Sequence, residues 1–210
     1  MVGVVGSSPI APTNYQYSFE VLPINAMFTL SLHGEENTQV QLKSGNSYCL
    51  IVRSDTQRNE VLAVLSALPN SAVVASDGGL ISNLRVWDNL TLPVLYHDIR
   101  VGGKLEDNVV DLFQKSGVRD EKSLTALLLK LPDQLSLFEK RVVGFVRAML
   151  MAPEVMVYDS IHDGLSRREM EKTARFDRIF RLHFPFRTSV LLSYEEFRDP
   201  AENRLTSIQL

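Results

Sequence analysis

LPDQLSLFEKRVVGFVRAMLMAPEVMVYDSIHDGLSRRE, residues 131–169, decides the fold. Ser136-Leu-Phe-Glu139 has the form of a capping box: the serine hydroxyl accepts a helix N–H and the glutamate reaches back to the serine's own N–H. The spacing predicts a helix from there to about Met151, with Pro153 behind it as a stop. Val155–Tyr158 is apolar throughout and reads as a strand buried on both faces, ending at Asp159. Ser166-Arg-Arg-Glu169 is a second capping box and opens a helix to roughly Leu182. A carboxylate thus stands at the C-terminal end of a buried strand, where open α/β sheets place ligand chemistry.

Working outward, the same alternation of strand and helix recurs. Tyr48–Val52 is another continuous apolar run of strand length, preceded by the turn signal Ser44-Gly45-Asn46. A polar loop, Arg53–Asn59, comes next, and Glu60–Leu68 is apolar at helical spacing until Pro69. Ala72–Ala75 is a short strand, so this part reads as a βαβ unit. Upstream, Tyr15 to about Leu42 alternates loosely (YSFEVL, AMFTLSL, TQVQL), the pattern of two or three antiparallel strands. Between the α/β halves, residues 77–150 read as a helical insertion. Val86–Leu95 carries Pro93 and is expected to be short or broken, and Leu105–Lys115 and Lys122–Lys130 are amphipathic. Ser189–Leu192 and Leu205–Leu210 are the last strand candidates. The expected class is α/β with an N-terminal antiparallel sheet: one domain over residues 15–210, with 1–14 a disordered Gly/Ser/Pro-bearing tail.

Composition narrows the function. The chain has 210 residues, enough for one domain with an inserted subdomain. A formal net charge of −3 carries no signature of a general nucleic-acid binder. Cys49 is the single cysteine and sits in the apolar run YCLIV, so it reads as a buried small hydrophobe. His33, His97, His162 and His183 have no metal-ligand spacing, and no metal site is expected. No apolar run reaches the ~18–20 residues needed to span a bilayer, and the N-terminus lacks the basic start and apolar core of a signal peptide, so a cytoplasmic location is expected.

From about Gly45 onward the order of elements resembles an ATP-binding-cassette (ABC) transporter ATPase, a P-loop NTPase with an inserted helical subdomain. Two stretches carry the likeness. LRVWDNLTLPVLYH (84–97) is similar to the segment just after that family's glutamine loop, and residues 131–169 align without a gap. The chain looks most like the ATPase of Mla-type phospholipid transport systems.

The resemblance places the phosphate loop, G-x-x-x-x-G-K-[ST] in the family, on Val52–Asn59. There the backbone amides of the family cradle phosphate. Val52 and Gln57 stand where the glycines belong, Arg58 replaces the lysine and Asn59 the magnesium-binding hydroxyl, while Asp55 adds negative charge. The glutamine of the next loop falls on Ser76, with Gly78-Gly79 beyond it as a flexible hinge. The signature L-S-G-G-Q falls on Leu135–Glu139; its serine remains as Ser136, which also has a sufficient role as a helix cap. Asp159 matches the magnesium-holding carboxylate, Ser160 takes the place of the catalytic glutamate and Tyr194 that of the switch histidine.

The resemblance therefore implies vestigial nucleotide-site positions at Ser54, Arg58, Asn59, Ser136 and Asp159, with no catalytic residue and no metal ligand set retained. ATP with magnesium is the only cofactor implied, and the substitutions oppose it. Implied partners are an integral-membrane permease, and a second copy or a competent ABC ATPase, on the cytoplasmic side of the inner (plasma) membrane. The family's docking groove maps to Asp77–Leu84, notably Gly78, Gly79 and Leu80, and to Trp87; core packing is the other reading of Trp87. The expected function is that of a weak or inactive ABC-type ATPase subunit. The alternatives are the ATP-binding half of an asymmetric pair, in which a partner supplies hydrolysis, and a soluble scaffold or regulator.

Overall fold

In the computed structural model, the described residues are 27–32, 38–99, 102–118, 120–195 and 205–210. Among these residues, five parallel strands form the central sheet: β3 (Ser47–Ile51), β4 (Ser71–Val74), β5 (Val155–Asp159), β6 (Thr188–Ser193) and β7 (Thr206–Gln209), in the order β4-β5-β6-β3-β7. A separate antiparallel pair, β1 (Met27–Leu32) and β2 (Thr38–Lys43), precedes it. The YSFEVL stretch and the tail 1–14 lie outside the described residues.

Every residue of β5 is buried, as its unbroken apolar run requires, because helices cover one face of the sheet and α1 with the β1–β2 pair the other. Side chains alternate between two cores. Cys49, Val74, Met156, Tyr158 and Leu191 face one, packed with Phe145, Phe176 and Phe180. Leu50, Val52, Val155, Val157, Val190 and Leu192 face the other, with Val61, Leu65, Leu30, Val40 and Leu42.

The helices are α1 (Asp55–Ser66), α2 (Val86–Tyr96), α3 (Leu105–Lys115), α4 (Glu121–Leu129), α5 (Leu137–Leu150), α6 (Arg167–Thr173) and α7 (Arg175–His183). α5 is the pivot of the block between β4 and β5. Both hydrogen bonds of its Ser136/Glu139 capping box are made, and ten of its residues are buried. The Ser166/Glu169 box opens α6 in the same way.

Three expectations need correction. The polar loop over Arg53–Asn59 is mostly helix: α1 begins at Asp55 because Ser54 caps it, accepting the Gln57 N–H at 3.2 Å, while the Gln57 side chain accepts the Arg53 N–H at 2.8 Å. α2 is not broken at Pro93, which sits in its last turn, where one backbone bond is forfeited near a helix end. The helix expected from Ser166 to Leu182 is two, meeting at Ala174.

Candidate functional site

The strand order sets β6 between β3 and β5, so the carboxyl ends of these three strands share one edge of the sheet. Ser193 at the end of β6 accepts the Val52 N–H at 2.9 Å, and Leu192 accepts the Ser160 N–H at 3.0 Å, which ties the edge together. Asp159, 3% exposed, projects there from β5. Arg58, one turn into α1, crosses the end of β6 to meet it. Its Nε donates to Oδ1 of Asp159 at 2.7 Å and its Nη2 donates to Oδ2, a side-on two-point ion pair. The bond to Asp159 raises the Arg58 pKa above its already high ordinary value, so the guanidinium is permanently charged. Its Nη1 also donates to the side-chain oxygen of Asn59 at 3.3 Å.

A second contact closes over the first. The Tyr194 hydroxyl, just past β6, donates to Oδ1 of Asp55 in the first turn of α1. That bond holds the Tyr194 proton and raises its pKa. An open cleft of about 410 Å³ lies beside these pairs, lined by Asp55, Arg58, Ser76, Asp77, Arg141, Ser160, Asp163, Gly164 and Tyr194. Ser160 adopts φ +49°, a left-handed conformation uncommon for a residue with a side chain, at the point where the chain leaves β5.

Three features of this arrangement are unfavourable to a Mg·triphosphate. A phosphate cradle needs outward-facing free amides, whereas here Arg53, Gln57 and Arg58 spend theirs within the Ser54–Arg58 turn. The Asp159 carboxylate is already paired with the Arg58 guanidinium. Asp55 adds a like charge beside the place a phosphate would take. Among the described residues, no group of three His, Cys, Asp or Glu side chains is placed to hold a metal ion.

The structure brings Ser54, Arg58, Asn59 and Asp159 to this edge. Ser136 is the N-cap of α5 and does not line the cleft. Gly78 forms a packed corner, while Gly79 beside it is exposed. Gly78 is buried at φ +85°, and a Cβ there would lie 2.4 Å from the Lys140 carbonyl oxygen of α5. Gly144 of α5 faces it: a Cβ there would lie 2.6 Å from the Gly78 carbonyl oxygen. Leu80 packs partly buried against the core. Trp87 packs partly buried against the core and lines a groove of about 380 Å³ with Arg85, Asp88, Thr125, Leu128 and Leu129. Gly78, Gly79 and Leu80 do not line that groove.

Sequence reading misses three organising residues. Arg141, 2% exposed, donates Nε to the Ser76 carbonyl and Nη1 to the Ile161 carbonyl, each at 2.7 Å, joining the loops after β4 and β5. Arg147 reaches the Gly78 carbonyl at 3.4 Å. Asn89, buried in α2, accepts the Ile81 N–H at 2.7 Å and donates to the Ile81, Leu84 and Arg85 carbonyls, fixing the loop before α2. Each is flanked by residues that a helix pattern already explains, so nothing local marks them.

No protein-family model matches the chain, and no curated protein matches it either. Solved structures do. A chain of an ABC ATP-binding cassette in a dimeric post-hydrolysis state with ADP and phosphate, MJ0796, superimposes with TM-score 0.61 at 16% identity, over 81% of this chain and 86% of that one. A metal-chelate type ABC transporter in an inward-facing conformation gives 0.60 at 12% identity, over 82% and 74%. CbiO1 from Clostridium perfringens, part of the ABC transporter complex CbiONQ, gives 0.58 at 12% identity, over 76% and 71%.

The fold is that of an ABC ATP-binding cassette. Identities this low establish architecture alone, with P-loop NTPase-type strand order and a small antiparallel sheet beside it. No helix among the described residues is long and apolar enough to cross a membrane.

Proposed function

We propose that this chain is a non-hydrolysing ABC-type subunit that docks on the cytoplasmic side of a membrane permease, by resemblance one of a lipid-transport system of the Mla type. The observation that carries the reading is the Arg58–Asp159 pair. In this reading the guanidinium takes the place of magnesium, and the early start of α1 takes up the loop that would wrap phosphate. Phosphoryl transfer rests on positioning and charge stabilisation by several groups together. Here Ser160 supplies no carboxylate and Tyr194 is engaged with Asp55.

The features that build the subunit persist: the caps of α5 and α6, the packed Gly78–Gly144 corner, and the Trp87 groove. This division supports a structural or coupling role beside a second subunit, either another copy or a competent ABC ATPase. The groove of Trp87, Leu128 and Leu129, with Leu129 59% exposed, is the docking surface in this reading.

Affinity purification from detergent-solubilised membranes tests it. The chain is expected to bring down an integral-membrane protein, and Leu129→Asp, at an exposed position, is expected to release it while leaving the fold intact. Recovery without any membrane protein would contradict the docking.

A further inference from the structure

Between Arg167 and Arg187 stand seven Lys and Arg side chains against three Asp and Glu, in a chain whose formal net charge is −3. α7 concentrates this basic charge on one side. Its inner face, Phe176, Ile179 and Phe180, is buried in the core, so the helix cannot roll. Its one acidic residue, Asp177, is turned toward β3 and accepts the Ser47 hydroxyl at 2.9 Å. Arg181 is turned the same way, donating to the Ser47 hydroxyl at 3.1 Å and to the Gly45 carbonyl at 3.2 Å. The exposed side is left to Arg175, Arg178 and Leu182, at the i, i+3, i+7 spacing of a single helix face.

Neither Arg175 nor Arg178 is engaged in an ion pair among the described residues. Glu171, just ahead of them on α6, is paired with Arg167 at 3.5 Å. Leu182 is 73% exposed, and Phe186, just past the helix end, is 63% exposed. The backbone around Phe186 is held in place. Its carbonyl accepts the Ser44 hydroxyl, the Arg187 N–H donates to the Phe184 carbonyl at 3.1 Å, and the Arg187 guanidinium lies 4.3 Å from the centre of the Phe184 ring. Two unpaired cations thus lead to two apolar side chains that the fold keeps in water.

We propose that this face rests on a bilayer carrying anionic lipid, with Arg175 and Arg178 at lipid phosphates and Leu182 and Phe186 in the boundary between headgroups and acyl chains. A lipid surface supplies phosphate above an apolar layer, which matches the order of these four side chains. An acidic protein would answer the arginines and leave Leu182 and Phe186 in water. A second copy is the wrong occupant, because a two-fold contact through this face sets like charges against each other. The face is separate from the Trp87 groove, and its lipid contact does not depend on the docking proposed above.

Flotation of the full chain with protein-free vesicles tests it. Phosphatidylcholine vesicles and vesicles of equal phosphatidylcholine and phosphatidylglycerol are offered at low ionic strength, and fluorescent poly-glutamate is titrated separately. The chain is expected to float with the anionic vesicles alone, and less as salt rises, because salt screens the surface attraction. Arg175→Gln and Arg178→Gln are each expected to weaken binding about fivefold, the scale of one basic residue at such a surface. Leu182→Ser with Phe186→Ser is expected to weaken it at every salt concentration, as loss of an apolar contact does. Lys122→Gln, exposed on α4, is expected to leave it unchanged. Failure to float with anionic vesicles overturns the proposal, as does equal flotation with neutral ones, undiminished binding in the double arginine variant, or an equal loss with Lys122→Gln. Capture of poly-glutamate in place of the vesicles also overturns it and makes the partner an acidic protein. Loss of the lipid contact leaves the permease docking standing, and a pull-down without membrane protein leaves the lipid contact standing.

Discussion

The guanidinium of Arg58 lies side-on against Asp159, donating to both carboxylate oxygens from the first turns of a helix that starts at Asp55. The partners are unequally sheltered: the Asp159 side chain is 4% exposed and that of Arg58 20%. Removing the arginine therefore strands a buried charge. Arg58→Ala is expected to destabilise the chain by about 3 kcal/mol, the scale for breaking one side of a buried pair. The double variant Arg58→Met with Asp159→Leu is expected to recover most of that loss, because both desolvation costs go together. Urea denaturation of the set measures it. Additive effects would mean that the two residues are not coupled.

Gly144 and Gly78 make a close approach between α5 and the loop after β4. A methyl group at Gly144 would meet a backbone carbonyl at 2.6 Å, and backbone cannot move aside as a flexible side chain does. Gly144→Ala is expected to cost about 2 kcal/mol, the ordinary scale of overpacking. For a chain of this size that lowers Tm by about 4–8 °C. An unchanged Tm in a calorimetric scan would show that the corner is loose.

Acid is expected to weaken the fold before its carboxylates titrate. His162 is held neutral by burial and by the neighbouring Arg141, which lower its pKa from 6.5 to about 4. Between those values the unfolded chain takes up a proton that the folded chain refuses, so stability is complete above pH 6.5 and declines as the pH falls toward 4. The loss at this one site reaches about 3 kcal/mol, at 1.36 kcal/mol per pKa unit. His183, lowered chiefly by burial, acts in the same direction. His162→Gln is expected to flatten the slope of stability against pH between 6.5 and 4.5. A slope identical to the parent's would place the acid sensitivity elsewhere.

Much of the fold is legible in the sequence because its signals are local. The Ser136 and Ser166 boxes, the five-residue buried run of β5 and the apolar face of α3 each fit within a single helix or strand, and the structure keeps them. The Arg53–Asn59 segment carries the same kind of signal and still misleads. Ser54-Asp-Thr-Gln57 has the spacing of a capping box, but its run of polar residues reads as a loop. The site itself is legible only as losses. Its new bonds, Arg58 to Asp159 across 101 positions and Tyr194 to Asp55 across 139, depend on strand order, which no local pattern states. Arg141 and Asn89 stay hidden because their partners are backbone groups, which every residue has.

Restoring the glycine-rich loop is expected to move the site toward nucleotide. Val52→Gly, Asp55→Gly, Gln57→Gly and Arg58→Lys together remove the early start of α1, the negative charge of Asp55 and the two-point pair that engages Asp159. ATP affinity of this variant, measured by calorimetry, is expected to exceed that of the parent by at least about tenfold, or 1.4 kcal/mol. Equal affinities would mean that the Ser54–Arg58 turn is not what opposes the ligand.

The most direct measurement is an isothermal titration of the parent chain with Mg·ATP. The self-satisfied Arg58–Asp159 edge predicts no saturable heat up to millimolar nucleotide. A saturable isotherm with one ATP per chain, abolished by Arg58→Ala, would show that the arginine leaves Asp159 to hold a triphosphate, and would contradict the account.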